Sequence, residues 1–404
     1  MGGHIATQGA LFIDMRTFNR IVALDAAAKR ITVQAGARWR DIQEHVDPAG
    51  LSVAIMQSYA DFTVGGTLSV NAHGRFVGVG PVIESVIDIE VVLADGAVIR
   101  ASRTENADVF YSAIGGYGGV GVITEATLRL VDNTRMKRST TVLTVGEYEA
   151  YFARHVRGRA GVALHNADLY PAAYQRLRAI TYKETTDPVS NPARLRDADQ
   201  SSPIKRFGFW LGSTVPGGRF LRERVVDPLR YTSDVVVWRN YEMSYDTSAL
   251  EPASRQRSTY ALQEYFVPVH RFTPFVRRLR TILREHHANV LNVSIRHVTA
   301  DPRSFLSWAR EDVFGFVIYY KQGTTTTDRE DAGRWTRALI DAAAAEGGTF
   351  YLPYQLHATQ EQFRRAYPGY PAFAAVKGRV DPTNKFRNEF WNKYGEDRRT
   401  AGQD

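Results

Sequence analysis

The chain has 404 residues, enough to bury a large core in one or two domains. Hydrophobic residues make up 44% and charged residues 23%, an ordinary balance for a globular protein, and the absence of cysteine excludes disulfides, thiolate nucleophiles and cysteine-ligated metals. The net charge of +8, from 51 basic and 43 acidic residues, favours anionic ligands only weakly, because the two signs are interspersed.

From Ala10 to about Leu130, short apolar strands alternate with turns. Leu11-Phe12-Ile13-Asp14-Met15 reads as a first strand, and Arg30 to Ala35 alternates with period two, as a half-buried strand should. Trp39 to Val46 reads as a short helix with Ile42 and Val46 on one face. Val86 to Ile99 contains an Asp95-Gly96 turn between two strands. From Val131 to Val376 strands mix with longer helices. Strands are expected over Val142–Val145, Asp234–Arg239, Thr259–Val267, Val290–Val298, Gly315–Tyr320 and Thr349–Leu352. Helices are expected over Pro274–His287, capped by Thr273, and over Arg329–Glu346. The mixture implies α+β architecture, an antiparallel sheet with helices on one face. Arg277, Arg278, Arg280 and Arg284 read as a solvated helix face. The polar loop Thr185–Ser202 reads as mobile. The last stretch, Lys377 to Asp404, is short, basic and aromatic.

No run of about 18 apolar residues is present, so no membrane-spanning helix is expected, and the first six residues do not resemble a signal peptide. A cytoplasmic location is the expectation. No nucleic-acid-binding motif is recognised. No metal site is expected either; His286 and His287 are adjacent, so their side chains diverge on a helix.

Two glycine-rich turns dominate the front of the chain. The first is Thr63-Val64-Gly65-Gly66-Thr67, continuing to Asn71-Ala72-His73-Gly74. The second is Gly115-Gly116-Tyr117-Gly118-Gly119, continuing to Gly121-Val122-Ile123-Thr124. Glycines cluster where a backbone approaches a ligand closely, and bare N–H groups at such turns cradle a diphosphate.

The order of these pieces resembles the vanillyl-alcohol-oxidase type (PCMH type) of FAD-dependent oxidoreductase, the group of sugar lactone oxidases, alditol oxidase and decaprenylphosphoryl-ribose oxidase. The resemblance also takes in Gln263-Glu264-Tyr265-Phe266-Val267-Pro268, Ile295-Arg296 with Ala300-Asp301, and Arg379-Val380-Asp381-Pro382. It implies a two-lobe fold: an FAD-binding lobe over 1–135, an inserted antiparallel-sheet substrate domain over 136–376, and a segment over 377–404 that returns to the FAD lobe. It implies FAD as cofactor, held by Thr63, Gly65, Gly66, Thr67, Asn71, His73, Gly74, Gly115, Gly116, Gly121, Val122 and Ile123, with the diphosphate along Gly65-Gly66-Thr67 and adenine near Val122 and Ile123.

It also suggests the groups that carry chemistry. His73 either sits beside the flavin or bonds its own turn, and is the best candidate for a general base. Arg296 either stabilises negative charge on flavin or substrate, or is a surface ion-pair residue. Relatives carry a Glu-x-Arg pair where this chain has Ser294 and Arg296. Of Glu264 and Tyr265, one points to the cleft and the other away. A lysine of relatives is absent from Pro353 to His357, where Tyr354 or His357 either replaces it or packs at a strand end. Lys377 and Arg379 read as structural.

Relatives have a further βαβ segment before the point where this sequence starts, with a histidine bonded to flavin in many of them. Met1 to His4 reads as the tail of that loop, too close to the strand for His4 to be the linking residue. The start is taken as an internal methionine, and weakened FAD affinity is expected for these residues alone. The implied function is FAD-dependent oxidation of an alcohol, sugar or sugar lactone, with hydride passing to flavin. The alternative is a truncated, non-catalytic flavin-fold binding protein.

Overall fold

The structure is a computed structural model that describes residues 5–197, 215, 217–232, 234–247, 252 and 254–395. His4 lies outside the described residues, as does the end of the loop Thr185–Ser202. The architecture is α+β, with two antiparallel sheets and helices packed on them.

The first sheet contains β1 (Ile21–Asp25), β2 (Arg30–Gln34), β3 (Leu51–Val53), β4 (Val86–Val92), β5 (Val98–Ser102) and β6 (Val122–Asp132). Its order is β1-β2-β6-β4-β5, with β3 on the far end of β6. The alternation of Arg30–Gln34 buries Ile31 and Val33 against α1 (Trp39–Val46) and α2 (Val64–Ser69). The Asp95-Gly96 turn joins β4 to β5, and Gly96 takes a φ of 89°, which only glycine adopts easily. Leu11 to Asp14 is not a strand. Leu11, Phe12 and Ile13 are exposed, no strand pairs with them, and Asp14 instead caps a 3₁₀ turn over Met15–Thr17. α3 (Ala107–Ala113) follows β5 and leads into the second glycine turn.

The second sheet contains β7 (Arg135–Thr144), β8 (Val162–Leu169), β9 (Arg176–Glu184), β10 (Val235–Trp238), β11 (Ser258–Pro268), β12 (Val290–Val298), β13 (Val313–Gly323) and β14 (Thr349–Phe350). Its order is β10-β7-β9-β8-β12-β13-β11-β14. Sequence periodicity located β11 to β14 but missed β8, β9 and most of β7, whose polar and basic residues obscure the pattern. Its back face is apolar and is covered by α4 (Val145–His155), α5 (Phe272–Glu285) and α6 (Thr326–Ala345). Phe272, Phe275, Phe314, Phe316, Tyr148 and Phe152 form the aromatic centre of that layer. α5 starts two residues earlier than expected and its N-cap is Arg271; the Thr273 hydroxyl donates to Glu149 Oε2 instead. Arg277, Arg278 and Arg284 are exposed, as a solvated face requires, and Arg278 pairs with Glu346 at 2.9 Å.

Side chains alternate across a strand, so the opposite face of this sheet is a different surface. In β12, Asn292, Ser294 and Arg296 are half-buried while their neighbours are buried. This polar front face meets the first sheet through the chain segment Val70–Gly80. Val77 and His165 donate backbone N–H groups to Ala163 and Arg75, and Thr299 donates to Val79. The described part of the loop Thr185–Ser202 is pinned there too. Arg194 bonds Asp47 at 2.6 Å and lies over Trp238, and Arg196 is held between Tyr241 and Tyr245.

The chain ends with α7 (Gln360–Ala366), α8 (Tyr370–Val380) and α9 (Glu389–Tyr394). Lys377 Nζ donates to Gly119 O at 2.7 Å and pairs with Asp381, Asn388 donates to Tyr117 O, and Phe390 stacks on Tyr117. The C-terminal helices thus pack on the second glycine turn.

Two histidines are buried in the back-face core. Burial, with His297 nearby, lowers His165 to about 3; burial lowers His297 to about 4, against the opposing pull of Asp312. Unfolded histidines bind a proton near pH 6.5. The unfolded chain therefore holds more protons in this window, so stability rises with pH and is lost as pH falls from 6.5 toward 4, by up to about 1.4 kcal/mol per pH unit for each histidine. Melting temperature is expected to fall steadily between pH 7 and 5, and His297→Phe, which fills a site between Phe152 and Phe314, to flatten that slope. A melting temperature independent of pH over this range contradicts the assignment.

Candidate active site

α2 ends at Ser69, and the chain then crosses the front face of the second sheet. Asn71 fixes the crossing. Its φ is 47°, its Nδ2 donates to Asp301 Oδ2, its Oδ1 accepts from the Ile83 N–H, and its carbonyl accepts from Trp308 Nε1. Gly74 has no room for a side chain, since an added Cβ would lie 2.2 Å from Met56 O. Between these two positions the His73 side chain is directed into the second sheet.

His73 is 4% exposed and is enclosed by Phe266, Trp308 and Tyr351. Its Nε2 lies 2.7 Å from Glu264 Oε1, and its Nδ1 lies 3.3 Å from Gly74 O. Both nitrogens face acceptors. The short Nε2–Oε1 contact requires a proton between them, and Nδ1 faces the Gly74 carbonyl. Glu264, on β11, is 2% exposed. Its second oxygen accepts from the Tyr354 hydroxyl at 3.3 Å. Burial and the Glu264 charge hold the Tyr354 phenol well above its usual value, against the opposing pull of Arg296. Tyr351 donates its hydroxyl to Val70 O at 2.9 Å and closes the cluster from the side. Gly315, on β13, faces the same pair, because no side chain would fit beside Phe266 and Glu264.

Arg296 lies opposite Gly315 on β12, on the same face as Glu264. It makes no hydrogen bond and no ion pair among the described residues, and its Nε is buried without a partner. Ser294, two residues earlier on that face, has a free hydroxyl among the described residues. Tyr59 approaches from the first sheet, and its phenol lies within the field of Arg296. It is joined to Tyr245 by a backbone bridge.

The glycine turns are close together but do not form the amide cradle their sequence suggests. Gly115 N–H donates to Leu68 O and Tyr117 N–H to Ser69 O, so the second turn packs on α2. The N–H groups of Val64, Gly65 and Thr67 donate to Ala37 O, Ala35 O and Thr63 O, and that of Gly66 donates to the Thr63 hydroxyl. These amides are committed to the protein. Gly65, Gly116 and Gly121 are glycines because an added Cβ would meet Ala35, Ser112 O or Val91 at under 3 Å; Gly115 instead takes a φ of 80° and packs on Asn71. Asn71 is likewise a structural hub with its polar atoms satisfied. Ala35 joins the turns' outer parts, since its N–H donates to Thr124 O while its carbonyl takes the Gly65 N–H. A continuous ledge results, with Gly66 exposed, Val122 half-buried and Ile123 buried. Gly66 is the exposed part of this surface, and its N–H, like those of its neighbours, is already bonded.

Two expected site residues lie elsewhere. Tyr265 points to the back face, packs on Phe275 and donates to Thr336 O, because strand alternation places it opposite Glu264. His357 contacts Gly333 and Arg337. Burial, with Lys393 and Arg337 nearby, lowers it to about 4. It has no described contact with His73, Glu264, Tyr354 or Arg296. Tyr59, Trp308 and Tyr351 went unrecognised in the sequence, where they are isolated aromatics without a motif. A cavity of about 540 Å³ opens further along the interface, lined by Phe76, Gly80, Gly161 and Arg239 among others, and does not include the His73–Glu264 pair.

Comparison with known proteins places this geometry. A family model for the FAD binding domain matches residues 1–102, and one for D-arabinono-1,4-lactone oxidase matches residues 181–394, more than half of the chain. The protein is an FAD-dependent oxidoreductase. It belongs to the D-arabinono-1,4-lactone oxidase family. It is 23% identical to L-gulonolactone oxidase of Bos taurus over 401 residues, covering 97% of this chain and 88% of the relative. It is 32% identical to L-galactono-1,4-lactone dehydrogenase 1 of Oryza sativa subsp. japonica over 143 residues, 35% of this chain and 24% of that protein. A putative D-arabinono-1,4-lactone oxidase of Neurospora crassa is 21% identical over 388 residues, 91% of this chain and 66% of that protein. No helix among the described residues is long and apolar enough to cross a membrane.

Gly315→Ala tests the packing of the pair. The new Cβ would lie 2.9 Å from Phe266 and 3.2 Å from Glu264 Oε1. Equilibrium unfolding in urea is expected to show a loss of about 1–3 kcal/mol. An unchanged midpoint would mean that the carboxylate moves freely.

Proposed function

We propose that the chain oxidises a hydroxyl-bearing carbon of a sugar-derived substrate, a sugar, polyol or sugar lactone, in the cleft between the two sheets. On this reading residues 1–135 form the FAD-binding lobe, residues 136–376 an inserted substrate domain built on the eight-stranded sheet, and residues from 377 the segment that returns to the FAD lobe. The carrying observation is that Glu264, on the eight-stranded sheet, is buried between His73 and Tyr354, on the same face as Arg296, which makes no hydrogen bond among the described residues.

FAD, when bound, would supply the two-electron acceptor that oxidation of the substrate carbon needs. The exposed Gly66 turn and the ledge beside Ala35 and Val122 would hold it. The chain's residues handle the proton and the charge. The substrate hydroxyl loses its proton as the carbon is oxidised, and Tyr354 is the half-buried end of the hydrogen-bonded series Tyr354–Glu264–His73. Because both nitrogens of His73 are occupied, its role is to hold the Glu264 carboxylate and its shared proton, not to touch substrate. Glu264 is the proton store, reached through the Tyr354 hydroxyl. Arg296 and the Ser294 hydroxyl face the substrate oxygens. The alternative of a non-catalytic binding module leaves a buried carboxylate–imidazole pair beside an unused guanidinium without a purpose, and such groups are costly to keep.

The test is reduction of the FAD-loaded protein by sugar lactones and polyols without oxygen, followed by loss of the flavin's visible absorbance. Glu264→Gln is expected to lower the reduction rate by about 10²-fold or more and to remove one limb of its pH profile, with FAD affinity retained. Equal reduction rates in both proteins would exclude Glu264 from proton transfer.

A further inference from the structure

We propose that the helical stretch from Gly218 to Arg230 docks this protein on an anionic lipid surface.

Three helical turns, Gly218–Leu221, Arg222–Val226 and Asp227–Arg230, follow one another without a break beside the start of β12. A helix on a globular body ordinarily turns its apolar side inward. This one is inverted. Its polar groups face the body. Arg219 donates to Asn289 Oδ1, and Arg222 donates to Leu291 O at 2.8 Å and to Asn292 Oδ1 at 3.1 Å. The buried Asp227 pairs with Arg222 at 3.5 Å, and Glu223 pairs with Arg176 at 3.4 Å. These contacts fasten the helix to the second sheet and leave its apolar side chains outside. Phe220 is 66% exposed and Leu229 68%, and Leu221, Val225 and Val226 are exposed as well. Leu221, Val225 and Leu229 recur every four residues and so fall in one row. A row of this kind is a patch, unlike the single apolar residues that any surface carries.

The charge on the patch decides what covers it. The stretch carries Arg219, Arg222, Arg224 and Arg230 against two carboxylates, Glu223 and Asp227. Both carboxylates are turned inward, whereas Arg224 and Arg230 are exposed beside the apolar row. Arg224 lies against the Phe220 ring, 5.7 Å from its centroid, and its only carboxylate neighbour among the described residues is Glu223 at 4.0 Å. The next acid along the chain, Asp234, is shared with Lys137 at 3.4 Å. Exposed apolar side chains rimmed by arginine, on a helix that lies along the surface, match the boundary between acyl chains and anionic headgroups. A second copy of the chain fits less well. A two-fold contact through this face would set Arg224 and Arg230 near like charges, with no exposed carboxylate of the stretch to receive them. No helix among the described residues is long and apolar enough to cross a membrane, so the contact is peripheral.

Flotation of the full chain with lipid vesicles tests this. Vesicles of phosphatidylcholine with about one quarter phosphatidylglycerol are expected to bind it at least about tenfold more tightly than phosphatidylcholine alone, a preference that weakens with salt. Phe220→Ser combined with Leu229→Ser is expected to lower binding to the anionic vesicles by about tenfold or more. Arg224→Gln combined with Arg230→Gln is expected to remove most of the preference for anionic lipid. Arg277→Gln combined with Arg284→Gln removes two exposed charges from α5 and controls for attraction by net charge alone; it is expected to leave binding within about twofold of the unaltered protein. Melting curves confirm that each variant folds. Absence of binding to the anionic vesicles, binding that survives the loss of Phe220 and Leu229, or an equal loss in the Arg277 and Arg284 variant overturns the proposal. A concentration-dependent dimer in light scattering that the Phe220 and Leu229 variant abolishes assigns the patch to a second copy and overturns it as well.

Discussion

A buried hydrogen bond between His73 and Glu264 ties the crossing segment Val70–Gly80 to the second sheet, and the arrangement of the site depends on it. Both partners are almost fully removed from water, where a carboxylate or an imidazolium alone would be costly. Their proximity makes burial tolerable, because each supplies the other with a hydrogen-bond partner at 2.7 Å. The low dielectric around them strengthens the bond and fixes its direction. Phe266, Trp308 and Tyr351 surround the imidazole, and Gly315 leaves space for the carboxylate.

That constraint explains features of the chain that are otherwise unrelated. Asn71 adopts a left-handed backbone and uses its polar atoms on Asp301, Ile83 and Trp308, so that the next turn delivers His73 to the sheet. Trp308 serves twice, as a donor to Asn71 and as a wall of the histidine pocket. The C-terminal helices pack on Tyr117 and Gly119, which rest on α2, so the last segment of the chain supports the turn from which the crossing starts.

The glycine-rich turns show how one residue type answers two needs. In the sequence they read as a phosphate cradle. In the fold most of them permit close packing, of Gly65 on Ala35, Gly121 on Val91 and Gly74 on Met56, and the amides of the first turn bond their own neighbours. The cofactor assignment therefore rests on the family. The same distinction applies to Arg296 and Lys377. Both are cations near a strand or helix end, but Lys377 is consumed by Gly119, Asp381 and Phe386, while the Arg296 Nε is buried without a hydrogen-bond partner among the described residues.

The sequence by itself determined the strand–turn–strand over Val86–Ile99, the helix over Trp39–Val46, the strands from β11 to β13, and the family resemblance carried by glycines, His73 and Glu264. These signals are local: period, turn chemistry and motif order operate over a few residues. Tertiary structure alone decided that Glu264 and not Tyr265 faces the cleft, that His73 is held by a carboxylate 191 positions away, that Tyr354 joins it while His357 does not, and that Leu11 to Asp14 forms no strand. The physical reason is that charge, burial and hydrogen-bond satisfaction are properties of surfaces brought together from distant parts of the chain, and no local pattern records which partner a polar group will meet.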